Sequence, residues 1–163
     1  MKLAEALNER KSLKTKLASL RERLVANARV QEGDQPAEQP NALLGEVSDT
    51  VANLEALIVR INRTNLEAKL PDDAKMTLME AIARRDILNL RYEVLKQLIG
   101  AASTTQNRWA VTRSEIKFRT TVNVADLQKE ADALAKEIRQ LDTRLQAANW
   151  QIDLGVFQMS WTR

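Results

Sequence analysis

The chain has 163 residues, a formal net charge of +3 and 44% hydrophobic residues, of which few are aromatic. It contains no cysteine and no histidine, which excludes disulfides, thiolate nucleophiles, Cys/His zinc sites and histidine-based catalytic triads. We therefore expect one domain over residues 1–163 with an aliphatic core, no metal, no cofactor and no catalytic residues.

The first amphipathic pattern predicts a helix over about residues 2–30. Its apolar side chains fall on heptad a and d positions, and Arg10 and Asn27 fall on the same line. A polar residue there lowers stability and can fix the register of a helix pair; alternatively, both side chains lie at the edge and reach solvent. The seam consists of Leu3, Ala6, Leu13, Leu17, Leu20 and Leu24.

A second helix is predicted over about residues 42–65, after a loop that contains one Gly and two Pro. Its apolar residues advance by alternating steps of three and four, and the next step reaches Asn65. We interpret Asn62, Arg63 and Asn65 as the lining of a polar site, with a C-cap role for Asn65 as the alternative. The seam consists of Leu44, Val47, Val51, Leu54, Ile58 and Ile61.

A third helix is predicted over about residues 73–102, with Asp72 or Asp73 as its N-cap, and the alternative start is the capping box Thr77-x-x-Glu80. Its apolar line passes through Arg85. A buried guanidinium must be paired, so Arg84 and Arg85 are candidate site residues. The alternative is that Arg85 reaches solvent and Asp86 pairs with a cation of another helix. The apolar line consists of Leu78, Ala81, Leu88, Tyr92, Leu95, Ile99 and Ala102.

Residues 107–122 differ from the helices on either side because polar and apolar side chains alternate, as in a half-buried strand. We predict a short β element here, between the third and fourth helices. The segment carries four basic side chains and one acidic side chain. Its candidate ligand-binding residues are Arg108, Trp109, Arg113 and Lys117.

A fourth helix is predicted over about residues 124–153, with Asn123 as its N-cap. Asn149 and Trp150 lie on its polar flank and complete the set of candidate site residues. The tail, residues 154–163, is apolar, and we expect it to cover a groove. The seam consists of Val124, Leu127, Ala131, Leu134, Ile138, Leu141, Leu145, Ala148 and Ile152.

Together these patterns predict an all-α fold, an elongated antiparallel four-helix bundle with heptad-like seams. The narrow seams, the short β element and the apolar tail favour a homo-oligomer. No apolar run approaches the roughly 18 residues that a membrane span requires, and no signal-peptide pattern follows Met1. We therefore expect a cytoplasmic protein without a membrane partner.

Several short stretches of the chain carry a resemblance when they are taken together. They are Met1 to Leu7, Val30 to Asp34, Ile61 to Asn65, Ala83 to Asp86, Arg113 to Lys117, and Leu141-Asp142 with Gln146 and Asn149-Trp150. Together they resemble a family of small bacterial helical proteins that is often labelled septicolysin, and the resemblance extends from residue 1 to about residue 154. It implies an oligomeric helical bundle and supplies no catalytic residues, and the label itself implies a cytolysin.

The function favoured by these residues is a non-enzymatic oligomer that binds a small anionic, nucleotide-like ligand for sequestration or sensing. Arg suits bidentate capture of phosphate or carboxylate, and an exposed Trp can stack on a base. An equally weighted alternative is a structural or protein-interaction module in which the Arg residues form salt bridges with Asp86, Glu115 and Asp142. Nucleic-acid binding, a carboxylate-based enzyme and cytolysis are the lesser alternatives.

Overall fold

The computed structural model describes residues 1–103 and 119–155 of the chain. It contains four helices and a two-stranded antiparallel sheet, which confirms the all-α fold class. The elements, in chain order, are α1 (Leu3–Ala26), α2 (Pro40–Glu67), β1 (Lys69–Leu70), β2 (Asp73–Thr77), α3 (Leu78–Ser103) and α4 (Val124–Gln151).

The helices are distributed over two compact units. The first unit contains Met1–Leu78 together with the chain from Gln146 onwards, and the second contains Met79–Leu145. The first unit is closed by its own chain ends, since Leu3 N donates to Ile152 O at 2.9 Å and Leu154 N donates to Met1 O at 2.9 Å. The expectation of a single domain stays a prediction.

In the first unit, α1 and α2 pack together along a line that the α2 pattern did not predict. Leu44 and Val51 were placed on the seam but are 51% and 44% exposed. Two threonines occupy buried positions instead, because Thr50 Oγ1 donates to Glu46 O at 2.7 Å and Thr64 Oγ1 donates to Arg60 O at 2.9 Å. A hydroxyl can be buried when it donates a hydrogen bond to a backbone carbonyl of its own helix. The buried line of α2 is Leu43, Thr50, Leu57, Ile61 and Thr64.

The end of α1 is fixed by a side chain that the heptad frame placed on the seam. Asn27 Nδ2 donates to Arg23 O at 2.9 Å, and Asn27 Oδ1 accepts from Glu38 N at 3.0 Å. The helix therefore ends at Ala26 rather than near residue 30. Asn27 acts as a cap that also holds the following loop.

The sheet of the described residues lies at a position where the sequence pattern predicted no strand. The sheet lies between α2 and α3, where Lys69 pairs with Thr77 across a turn at Pro71 and Asp72. Proline suits such a turn because its φ angle is fixed, and Asp73 Oδ1 accepts from Lys75 N at 3.0 Å just beyond it. Consequently α3 begins at Leu78 rather than at residue 73.

Only the last residues of the segment predicted to form the β element lie in the described part of the chain. Residues 119–122 belong to no strand, and residues 107–118 lie outside the described residues. Most of the apolar tail, residues 156–163, also lies outside them.

In the second unit, α3 and α4 run antiparallel around a small aliphatic core. Leu95, Ala131 and Leu134 are buried at its centre, as the predicted seams require. Asn123 caps α4 as predicted, since its Oδ1 accepts from Ala125 N at 3.1 Å and from Asp126 N at 3.3 Å. The half-buried side chains around this core are Leu88, Tyr92, Ile99 and Leu127.

Candidate functional site

The line of contact between α3 and α4 carries a ladder of ion pairs. Arg84 Nη2 lies 2.7 Å from Glu137 Oε1. About two turns further along α3, Arg91 Nη2 lies 2.5 Å from Glu130 Oε1. The residue numbers of the pairs rise on one helix as they fall on the other, which is the register of antiparallel neighbours. Each pair is partly exposed, so it positions the two helices more than it stabilises them.

Arg85 is held by two carboxylates. Its guanidinium donates to Asp86 Oδ1 at 2.8 Å and 3.0 Å, and its Nη1 lies 3.7 Å from Asp142 Oδ1. The half-buried Arg on the apolar line of α3 is therefore paired with protein groups. Among the expectations from the sequence, this geometry matches the salt-bridge interpretation of Arg85, Asp86 and Asp142.

The opposite face of α3 carries a second row of apolar side chains. Members of this row, which we call the α3 stripe, recur at steps of four, four and three residues. All are exposed, and its five large side chains are 39–64% exposed. An eleven-residue repeat corresponds to about 3.67 residues per turn, so the row turns only slowly around the α-helix, in a right-handed sense. The α3 stripe is Met79, Ala83, Ile87, Leu90, Val94, Leu98 and Ala101.

The two edges of the α3 stripe carry opposite charge. By helical position, Asp86 and Glu93 lie along one edge, and Arg84 and Arg91 lie along the other. The carboxylate of Asp86 and the guanidinium of Arg91 remain more than half exposed in spite of their ion pairs. Over residues 84–93 the stripe is therefore an apolar surface with one acidic and one basic margin.

The candidate site residues at the end of α2 lie in the first unit, beside two residues that bond to the chain after α4. Thr64 Oγ1 accepts from Gly155 N at 3.0 Å, and Arg60 Nε donates to Gly155 O at 3.2 Å. These bonds attach the chain after α4 to the end of α2. Five predicted site residues fall within this same unit: Asn62, Arg63, Asn65, Asn149 and Trp150.

Their exposure differs. Asn62, Arg63 and Trp150 are exposed, with Trp150 at 61%, whereas Asn65 and Asn149 are half-buried. Arg84 and Arg85 belong to the second unit, where carboxylates occupy them. The remaining candidates, Arg108, Trp109, Arg113 and Lys117, lie outside the described residues.

One ion pair shifts the ionisation of both partners. Arg23 donates from Nε to both Glu38 carboxylate oxygens, at 2.9 Å and 3.1 Å, and its Nη2 also contacts Oε1. This hydrogen bonding lowers the pKa of Glu38 and raises the pKa of Arg23. The pair joins the last turn of α1 to the loop before α2, so it stabilises the connection between the two helices.

Within residues 1–103 and 119–155, no group of three or more acidic side chains is placed to hold a metal ion. In the same part of the chain, no helix combines the length and the apolar character that a membrane span needs.

The α3 stripe was not recognised as a feature of the sequence. The heptad seam through Leu88 and Leu95 is sufficient to predict the helix, and it does not include the apolar residues of the α3 stripe. The signal was available as a second apolar row with an eleven-residue repeat, on a helix whose first row was already assigned.

Comparisons with known proteins identify the family of the chain and a solved structure with a similar fold. A model of a family of unknown function (DUF6847) matches residues 10–154. The chain is also similar to a functionally unknown conserved protein from Corynebacterium diphtheriae, known from its crystal structure. The two are 39% identical with a TM-score of 0.86, over 95% of this chain and 99% of that chain. No curated protein matches. The septicolysin label finds no support in these matches.

Proposed function

The chain belongs to this family of unknown function, and we propose that it acts as a non-enzymatic protein-interaction module that self-associates through the α3 stripe. The observation that carries the proposal is that all seven apolar side chains of the α3 stripe, from Met79 to Ala101, are exposed. The row extends over about 33 Å at 1.5 Å per residue. Sequestering this surface from water is favourable in proportion to its area.

The size of the stripe supports a second copy as its occupant. Its exposed area, on the order of 500 Å², is at the upper end of what a monomeric protein presents as one apolar patch. Two copies that face each other would bury about 1,000 Å² from the stripes alone, which is where specific interfaces begin. The flanking charged residues would add to this area.

The charged margins favour a parallel arrangement of the two helices. Parallel neighbours place the acidic edge of one helix beside the basic edge of the other, so Asp86 of one copy would face Arg91 of its partner. Antiparallel neighbours would place like charges together. The proposed interface is therefore a parallel, two-fold pair of α3 helices.

Light scattering after size exclusion tests self-association directly. Leu90→Glu places a charge at the centre of the stripe, and we expect its assembly to dissociate at concentrations at which the wild type remains associated. Asn89→Glu is the matched control, because it adds the same charge to an exposed neighbour outside the stripe. A monomeric wild type, or equal effects of the two variants, would contradict the proposal.

Crosslinking tests the orientation, since the chain has no cysteine of its own. In a parallel pair each residue faces its equivalent, so Ile87→Cys and Leu98→Cys should each form a disulfide-linked dimer under mild oxidation. These positions are about 16 Å apart along the helix axis. An antiparallel pair centred between them would join Ile87→Cys only to Leu98→Cys of the partner, in a double variant.

A small anionic, nucleotide-like ligand remains the second function that we propose. Its support is the exposed Trp150 in the same unit as Asn62, Asn65 and Asn149, where an aromatic face and amide donors are available. Isothermal titration with a panel of nucleotides tests it, with Trp150→Ala as the variant that should lose binding. The ion-paired Arg85→Ala is the comparison, and no heat from any nucleotide would reject the ligand class.

A further inference from the structure

The face of α1 that meets α2 forms one wall of an open groove in the first unit. The groove has a volume of about 430 Å³. Its floor is apolar, with Leu17 and Leu24 from α1 and Val47 from α2. The residues that line it are Lys14, Leu17, Ala18, Arg21, Leu24 and Val47.

The apolar surface continues along α2 beyond the groove itself. Leu44 and Val51 lie one turn to either side of Val47 and are both exposed. These are the residues that the packing of α1 and α2 leaves outside the core. A groove between two helices with apolar walls and an apolar extension has the shape that accepts a third helix.

One rim of the groove is basic. Lys14 and Arg21 are exposed, and neither forms an ion pair within the described residues. They lie seven residues apart, about 10.5 Å along α1. By contrast, Arg23, Arg84 and Arg91 each have a carboxylate partner.

From this combination we propose that the groove binds an amphipathic helix of another protein, one that carries acidic residues seven apart beside its apolar face. The apolar face would cover Leu17, Leu24 and Val47. The two carboxylates, two turns apart, would meet Lys14 and Arg21. Charge complementarity selects this occupant over a neutral or basic helix, and the spacing of the two cations selects it over a ligand with one carboxylate.

Fluorescence anisotropy with designed peptides tests the proposal. The probe is an 18-residue helical peptide with leucines along one face and two glutamates seven residues apart at its edge. A second peptide carries lysines at those two positions. We expect wild-type protein to bind the glutamate peptide more tightly than the lysine peptide.

Charge reversal on the protein supplies the decisive comparison. In Lys14→Glu/Arg21→Glu the glutamate peptide should lose about tenfold in affinity and the lysine peptide should gain, because two exposed attractive pairs become repulsive. Lys16→Glu is the matched control, since Lys16 is exposed on α1 but does not line the groove. Circular dichroism confirms that each variant is folded.

Several results would overturn the proposal. Equal binding of both peptides, or equal effects of Lys14→Glu/Arg21→Glu and Lys16→Glu, would contradict the recognition of carboxylates by Lys14 and Arg21. Displacement of the glutamate peptide by laurate at comparable affinity assigns the groove to a long-chain carboxylate. A change of oligomeric state in Lys14→Glu/Arg21→Glu, measured by light scattering, assigns it to a second copy. These outcomes are independent of Leu90→Glu, which alters the other unit.

Discussion

At the scale of single residues, two buried threonines show how similar side chains can differ in energetic importance. Thr50 and Thr64 are both on the buried face of α2, and both donate to the carbonyl four residues earlier. Thr64 alone also accepts a hydrogen bond from Gly155 N, at 3.0 Å. Its hydroxyl therefore joins two segments that are distant in sequence.

We expect Thr64→Val to destabilise the protein by about 1–2 kcal/mol, because the amide of Gly155 loses its acceptor. Thr50→Val should be close to neutral, since it removes only a bond within its own helix. Chemical denaturation of both variants measures the difference. Equal losses would show that the bond to Gly155 contributes nothing.

The pKa of Glu38 supports a prediction about pH. The contact with Arg23 lowers this pKa in the folded state, so the stabilisation it provides is complete above the unfolded pKa of about 4.3. The stabilisation is lost as the pH falls through the lower, folded value. Wild type should therefore exceed Glu38→Gln in Tm at pH 7 and approach it in strong acid; a constant difference in Tm across this range would contradict the link.

At the scale of elements, α3 has two apolar faces that differ in exposure. Leu95 is buried against Ala131 and Leu134, whereas Leu90 of the α3 stripe is 63% exposed. Both are leucines of the same helix, and they project from it in different directions. Substitution of each therefore tests the core and the proposed interface separately.

Leu95→Ala should cost about 2–4 kcal/mol of unfolding free energy, since it opens a cavity in the core of the second unit. Leu90→Ala should cost well under 1 kcal/mol in dilute protein, where the stripe faces water. Urea denaturation at low protein concentration distinguishes them. A large loss for Leu90→Ala under these conditions would place that side chain in the core.

The sequence predicts the elements that depend on strong periodicity and misses those that depend on local chemistry. The seam of α4, from Leu127 to Ala148, is buried or half-buried along its whole length, as predicted. The buried line of α2 differs from the predicted seam because it includes Thr50 and Thr64, which a pattern of apolar residues does not contain. The turn at Pro71 was read as a helix start, since an Asp beside a Pro is also typical of a helix N-terminus.

The same distinction applies to the candidate site. The position of Arg85 on the apolar line of α3 marks it as unusual, and its partners in the structure are Asp86 and Asp142. Periodicity could not tell whether those partners would be carboxylates of the protein or an external anion. That depends on a contact between two helices, made by Arg85 and Asp142, which are 57 residues apart in sequence.

At the scale of the whole molecule, each unit has its own buried centre. In the first unit, Leu154 is 4% exposed and its amide donates to Met1 O. Leu154→Ala should destabilise the protein by about 2–4 kcal/mol. Hydrogen exchange should show lost protection first at the start of α1 and the end of α2; uniform loss that includes the centre of α3 would contradict separate units.

The first unit is discontinuous in sequence, and this has a consequence for synthesis on the ribosome. Lys2 Nζ donates to Gln151 O, a contact across 149 residues, so the residues before α1 have no partner until the last part of α4 has emerged. The segment from Met79 to Leu145 is complete earlier, and its ion pairs Arg84–Glu137 and Arg91–Glu130 join residues 53 and 39 apart in sequence. A nascent chain would therefore be able to form the α3–α4 pair before the start of α1 acquires its partner, and the start of α1 would remain available to chaperones until the end of α4 has been translated.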